Sequence, residues 1–293
     1  MQNDQKKQIQ IHLRDYVGRY DSQNQASFTL RGVSSATISQ ILNNNWNLIK
    51  DSMWRTVSSQ IGYMENSWKS VDTVNYKDLY KTLSDAQEYS NVLGITGRAG
   101  TGKTFTLKEY AAKNKKTYLL CCNEYWTMTD FLRELLIKMG RDYTGLNMSE
   151  MMKDAVLTLK SQANPLIVMD EADKLHDRVL YFFITLYNEL EDRCGIILIA
   201  TSHLQKRIRR GVQLGKKGCE EIYSRVGGKF IELQGVNFTD VIMICQANGI
   251  DNKQLIKDIW SDSKGDLRRV KRKIHAIKMI EKEQNKKGNS NAD

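Results

Sequence analysis

The octet GRAGTGKT, residues 97–104, constrains what this chain can fold into more than any other stretch. It follows the apolar run NVLGIT and leads into the helix-forming segment TFTLKEYAAKNKK. A backbone that wraps phosphate must bring its N–H groups close to oxygens. It therefore needs glycines, one lysine and one hydroxyl at fixed offsets. Gly97, Gly102, Lys103 and Thr104 meet those offsets, and the strand before and helix after supply the context the loop requires. The loop from Gly97 through Arg98 and Ala99 to Phe105 is thus the expected nucleotide cradle. The amides of Gly100, Thr101, Gly102 and Lys103 would hold a β-phosphate at the positive end of the helix. Lys103 would place a charge between β- and γ-phosphates, and the Thr104 hydroxyl would ligate magnesium.

Downstream, the short apolar runs TYLLCC, PLIVMD and GIILIATS alternate with helical stretches. With NVLGIT they predict an α/β core: a parallel sheet covered by helices on both faces. The run PLIVMDEADKL ends in Asp170 and Glu171. Asp170 is the expected second magnesium anchor and Glu171 the general base that polarises the attacking water. GIILIATSHL ends in hydroxyls, so Ser202 or Thr201 can sit beside a γ-phosphate. Arg225 precedes the strand-like segment FIEL, and Arg268 stands near the start of a terminal helix in SKGDLRRVKRKI.

This order of phosphate loop, acidic pair, polar strand end, Ser-Arg and Gly-x-x-Arg resembles the P-loop AAA+ ATPases. The resemblance implies that Ser202 or Thr201 acts as sensor 1 and that Arg225 reaches the γ-phosphate of a neighbouring subunit. It implies that Arg268 contacts nucleotide in its own subunit. An NKxD-type base-reading motif is missing, which favours ATP over GTP.

On either side of this core the pattern is helical. Residues 8–20 place Ile9, Leu13, Tyr16, Val17 and Tyr20 on one helix face. The next segment reads as two helices around a turn at Gly32, with Val33, Ile38 and Ile41 inward and Ser34 as cap. It resembles a repressor-type helix-turn-helix, whose outward Ser35, Ala36, Thr37 and Gln40 would face a major groove with little sequence specificity. Phe28 stands where such motifs carry a small residue. The other reading of this segment is a small helical bundle packed on the rest of the protein or on another subunit. Helical patterning continues from about residue 46 to 90, broken by the polar ENSWKSVDTVN.

Net charge is +10 and the pI near 9.2, which favours a polyanionic partner. Nucleic acid, an anionic membrane and a solvated lysine surface each satisfy charge alone. SHLQKRIRRGVQLGKKG reads as a basic loop in which Lys206, Arg207, Arg209, Arg210, Lys216 and Lys217 would touch phosphates or stay solvated. The terminal helix from Asp266 places Leu267, Val270, Ile274, Ile277 and Ile280 on one face. Arg269, Lys271, Arg272, Lys273 and Lys278 lie elsewhere, so a small C-terminal helical lid is expected whose basic face meets DNA or a protein partner. The closing EKEQNKKGNSNAD is polar and expected to fray.

The five cysteines form no CxxC pair; Cys121, Cys122 and Cys245 lie in apolar runs and read as buried free thiols of a reducing cytosol. The N-terminus has no apolar signal core, and no uninterrupted apolar stretch reaches a membrane-spanning length of about 18 residues. A cytoplasmic protein with no membrane association is expected.

The expected division is 1–64 for a helix-turn-helix-like DNA-binding domain, 65–235 for the ATPase core, 236–285 for the lid and 286–293 for a polar tail. Head, core and basic tail together resemble the transposition target-selection ATPases of the phage Mu B type, with IstB-like and TnsC-like ATPases as relatives. The resemblance covers most of the chain, and its sharp part is the nucleotide motifs. It implies ATP and Mg2+ as cofactors and homo-oligomers, a helical filament or ring, on double-stranded DNA. It further implies capture of target DNA and stimulation of a transposase. Two other readings stay open: a helicase loader or replication-initiation ATPase on the same core, and a nucleotide-switched helix-turn-helix regulator. A non-catalytic scaffold is disfavoured by the intact Asp170-Glu171 pair.

Overall fold

The computed structural model describes residues 1–63 and 68–290, with side chains through Glu281. By contacts the chain divides into two units. The first comprises Met1–Ser67, Thr82–Thr96 and Leu107–Ile231; the second comprises Trp68–Lys81, Gly97–Thr106 and Glu232–Asp293. The expected boundary at residue 64 and the last residues of the tail, 291–293, lie outside the described residues.

The first unit begins with α1 (Asn3–Val17), α2 (Gln23–Phe28), α3 (Ser35–Leu42) and α4 (Asp51–Ile61). Leucine, isoleucine, valine and tryptophan recur on their inner faces, so these helices share a small core of their own around Leu13, Ile38, Ile41 and Trp54. The Ser34 hydroxyl accepts the Thr37 N–H at 3.1 Å and caps α3 as expected. Gln10, buried at their centre, donates to the carbonyls of Ile41 (2.8 Å) and Leu42 (3.1 Å), satisfying the end of α3. Phe28 closes α2 and is half exposed.

After α5 (Val74–Glu88) come β1 (Val92–Thr96), α6 (Lys103–Lys113), β2 (Thr117–Cys121), α7 (Met128–Lys138), α8 (Met148–Lys160) and β3 (Leu166–Asp170). A 3-10 turn (Ala172–Lys174) leads to α9 (Asp177–Leu190), β4 (Gly195–Ala200), α10 (Ser202–Gln213), α11 (Cys219–Arg225) and β5 (Phe230–Glu232). The sheet runs β2-β3-β4-β1-β5, and the β2–β3, β3–β4 and β4–β1 pairs are parallel. Every residue of β3 and β4 is buried, as befits central parallel strands with helices on both faces. The carboxyl ends of β1, β3 and β4 share one edge, where open α/β sheets carry their ligands.

The helical head rests on this core through α7. Gln25 donates to the Met139 carbonyl at 2.9 Å, and Arg31 pairs with Glu134 at 2.6 Å. Gly140, at φ 66°, lies so close beneath Gln25 that any Cβ there would collide with it.

In the second unit α12 (Phe238–Ala247), α13 (Lys253–Ser263) and α14 (Leu267–Ser290) enclose a cluster around Val241, Ile244, Ile259, Val270 and Ile274. Trp68 packs against it beneath the Lys271 ammonium, 5.4 Å from the ring centre.

Three expectations need correction. The basic stretch after β4 is not a loop: residues 202–213 form α10, because Leu204, Ile208 and Gly211 recur at helical spacing and are buried. Ile280 does not face inward but is exposed, since α14 outruns the cluster it packs on. Cys121 is exposed at the end of edge strand β2, while Cys122, Cys194, Cys219 and Cys245 are buried. Among the described residues no helix is long and apolar enough to cross a membrane.

Candidate functional site

The phosphate loop lies within the second unit. Gly100 and Gly102 hold φ of 80° and 92°, values that residues with side chains rarely adopt, and so turn successive amides inward ahead of α6. Lys103 Nζ donates to the carbonyls of Gly97 and Arg98, each at 2.7 Å, so its charge is folded onto the loop it belongs to. Thr104 is half-buried in the first turn of α6, and Phe105 is exposed.

The loop is braced by the start of α14. The Gly100 carbonyl accepts the Leu267 N–H at 2.9 Å, and the Asp266 carboxylate caps α14 by accepting the Arg268 N–H at 2.8 Å. That carboxylate fills the space a Cβ on Gly100 would need. Gly100→Ala must therefore meet both a left-handed backbone, at a cost of about 1–2 kcal/mol, and a blocked position. The expected result is about tenfold or greater loss of affinity for a fluorescent ATP analogue, read by titration. The Arg268 side chain, on the same turn, is exposed.

The acidic pair lies in the first unit, where β3 ends. Asp170 is buried, and its Oδ1 accepts the Glu171 N–H at 3.0 Å. Glu171 follows in a left-handed conformation, φ 57° and ψ 37°, and its half-exposed carboxylate accepts Lys174 Nζ at 2.6 Å. The same carboxylate holds the Lys174 ammonium above the ordinary lysine range. Thr201, at the end of β4, donates its hydroxyl to Asp173 at 2.8 Å and also caps α10. Ser202 is exposed in the first turn of α10, so Thr201 is the one of the two hydroxyls tied to the acidic turn.

Arg225 ends α11 and turns onto α9 of its own chain. It donates to Asn188 Oδ1 at 3.0 Å, lies 5.1 Å from the Tyr187 ring centre and approaches Glu221 at 3.9 Å.

Of the basic candidates, Lys206, Arg209 and Arg210 are exposed on α10, with Lys216 and Lys217 in the turn beyond. His203, Lys206, Arg207, Arg210 and Lys216 line a cavity of about 620 Å³, with Asp173 the acid among them. Arg207 departs from its neighbours: its guanidinium is spent on the carbonyls of Asp173 (3.1 Å) and Leu175 (2.9 Å). In the head, Ser35, Thr37 and Gln40 are half-buried and Ala36 exposed on α3. Sequence reasoning misses Lys174, Asp173 and Asp266. Only Asp266 carries a local signal, an acid one residue ahead of a basic helix.

Residues 86–208 match the family described as AAA domain. This stretch spans the phosphate loop, the acidic pair and most of α10, whereas Arg225 and Arg268 lie beyond its matched limits. Over 234 residues, 76% of this chain and 79% of the relative, the protein is 20% identical to the Mu-like prophage FluMu DNA transposition protein B of Haemophilus influenzae. The chain thus carries a stretch similar to AAA domains and is similar over most of its length to a phage transposition protein B. AAA domains as a class bind and hydrolyse nucleotides, and the loop fits such a ligand. Gly100 and Gly102 give it the left-handed backbone such a loop needs, and the hydroxyl of Thr104 and carboxylate of Asp170 are hard oxygen donors of the kind magnesium takes.

Proposed function

We propose that this protein is an ATP-dependent, DNA-binding ATPase that oligomerises on duplex DNA, delivers target DNA and stimulates a transposase. The observation that carries the reading is the glycine-turned phosphate loop at the end of β1, within an AAA domain. The transposition role is supported by the name of the Haemophilus relative and by the net charge of +10.

In this reading Lys103 and the loop amides bind the phosphates of ATP, and Thr104 and Asp170 hold Mg2+. Glu171 takes a proton from the attacking water, with Thr201 or Ser202 orienting it. Arg225 serves a neighbouring subunit's nucleotide and Arg268 its own subunit's. Bound ATP supplies the transferable phosphoryl group. Duplex DNA is held through its phosphates by Lys206, Arg209, Arg210, Lys216 and Lys217. The head would add contacts through Ser35, Thr37 and Gln40.

Electron microscopy of the protein with duplex DNA and a slowly hydrolysed ATP analogue tests this. Ordered assemblies on DNA are expected with both ligands, and none from Lys103→Ala. Log affinity for duplex DNA should fall against log salt with a slope of about −0.9 per phosphate contacted. A protein that stays monomeric with both ligands overturns the reading.

A further inference from the structure

The left-handed backbone of Glu171 persists only if its surroundings over-determine it. Four hydrogen bonds act within the turn: the Glu171 carbonyl accepts the Lys174 N–H at 2.9 Å, that of Ala172 the Leu175 N–H at 3.2 Å, the Asp170 carboxylate the Glu171 N–H at 3.0 Å and the Glu171 carboxylate Lys174 Nζ at 2.6 Å. The others come from β4's end and α10. The Thr201 hydroxyl holds the Asp173 carboxylate at 2.8 Å. Arg207 then straddles the far end of the turn, Nη1 donating to the Asp173 carbonyl at 3.1 Å and Nη2 to the Leu175 carbonyl at 2.9 Å. Its Nε makes no hydrogen bond and lies 3.6 Å from the Asp177 carboxylate, a charge contact only. A planar guanidinium can grip two carbonyls two residues apart, which a single ammonium cannot do.

The surroundings of Arg207 sharpen the contrast. Lys206 and Arg210, beside it on α10, are exposed and free to meet a polyanion, whereas Arg207 alone is turned to the backbone after the acidic pair.

We infer that Arg207 is a positioning residue for hydrolysis. By gripping the Asp173 and Leu175 carbonyls it fixes the turn that presents Glu171, and so sets turnover without contacting nucleotide. The inference rests on Glu171 being the general base.

The test is ATP hydrolysis by the full chain on duplex DNA, comparing wild type, Arg207→Met, Arg207→Lys, Glu171→Gln and the double variant Arg207→Met/Glu171→Gln. Arg207→Met should lose about tenfold in kcat with KM changed by less than about twofold, the pattern of lost transition-state stabilisation. Arg207→Lys, able to reach one carbonyl, should recover part of the loss. In the Glu171→Gln background Arg207→Met should add nothing, because two residues acting through one group are not additive. Should Arg207→Met fail to fold, Arg207→Lys in both backgrounds carries the same comparison. Wild-type kcat in the Arg207 variants, a loss confined to KM, or an equal loss with and without Glu171 overturns the inference alone. A wild-type protein that binds ATP and DNA but never hydrolyses overturns the general-base reading together with it.

Discussion

Arg225→Ala is expected to bind ATP as well as wild type and to turn it over about a thousandfold more slowly, since an arginine supplied in trans contributes roughly 10³- to 10⁵-fold to phosphoryl transfer. In the isolated chain the guanidinium rests on Asn188 and Tyr187 of α9 and on Glu221 one turn before it, held by two hydrogen bonds, a ring face and a long, partly exposed ion pair. Those contacts are worth about 1 kcal/mol each, small enough for a triphosphate on a neighbour to displace them. Mixing separates this role from a merely structural one. Arg225→Ala retains an intact phosphate loop, and Lys103→Ala retains an intact arginine. Equimolar mixing should therefore create interfaces where both are present, and hydrolysis should rise above the sum of the two variants measured apart. A mixture no more active than its components would assign Arg225 to its own subunit.

Glu171→Gln should have the second large effect, with turnover lost by about 10²- to 10⁴-fold while ATP affinity and DNA assembly persist. The amide keeps the shape of the side chain but cannot accept a proton from water. It also releases Lys174 from its 2.6 Å ion pair, an exposed contact of small worth that should leave stability nearly unchanged. Steady-state hydrolysis and analogue titration read the two halves of the prediction. A variant that hydrolyses normally would remove Glu171 as the base.

The sheet is legible in the sequence because its strands are buried on both faces. Runs such as LIVMD and GIILIA stand out as continuous apolar blocks bounded by polar residues. The phosphate loop is legible because its chemistry is local: glycines, lysine and threonine act at fixed offsets. The helix α10 reads as a loop because only Leu204, Ile208 and Gly211 mark its buried face, and a glycine directly after two arginines is a weak sign of helix. Arg207 is indistinguishable in sequence from Lys206 and Arg210. Its carbonyl partners at positions 173 and 175 are more than thirty residues away, and backbone oxygens leave no compositional trace. Asp266 shows in sequence only as an acid ahead of a basic helix, because its closeness to Gly100 arises only when the chain folds back on itself.

The lone exposed thiol gives the protein a chemical handle. Cys121 ends β2 in register with Asp170, one strand away from the expected magnesium anchor, and the other four cysteines are buried. Desolvation of its sulfur and the nearby Asp170 carboxylate push its thiol above the ordinary cysteine value, so mildly alkaline buffer favours its modification. A maleimide dye attached there would label each chain at a single position and turn the arrival of nucleotide into an optical signal.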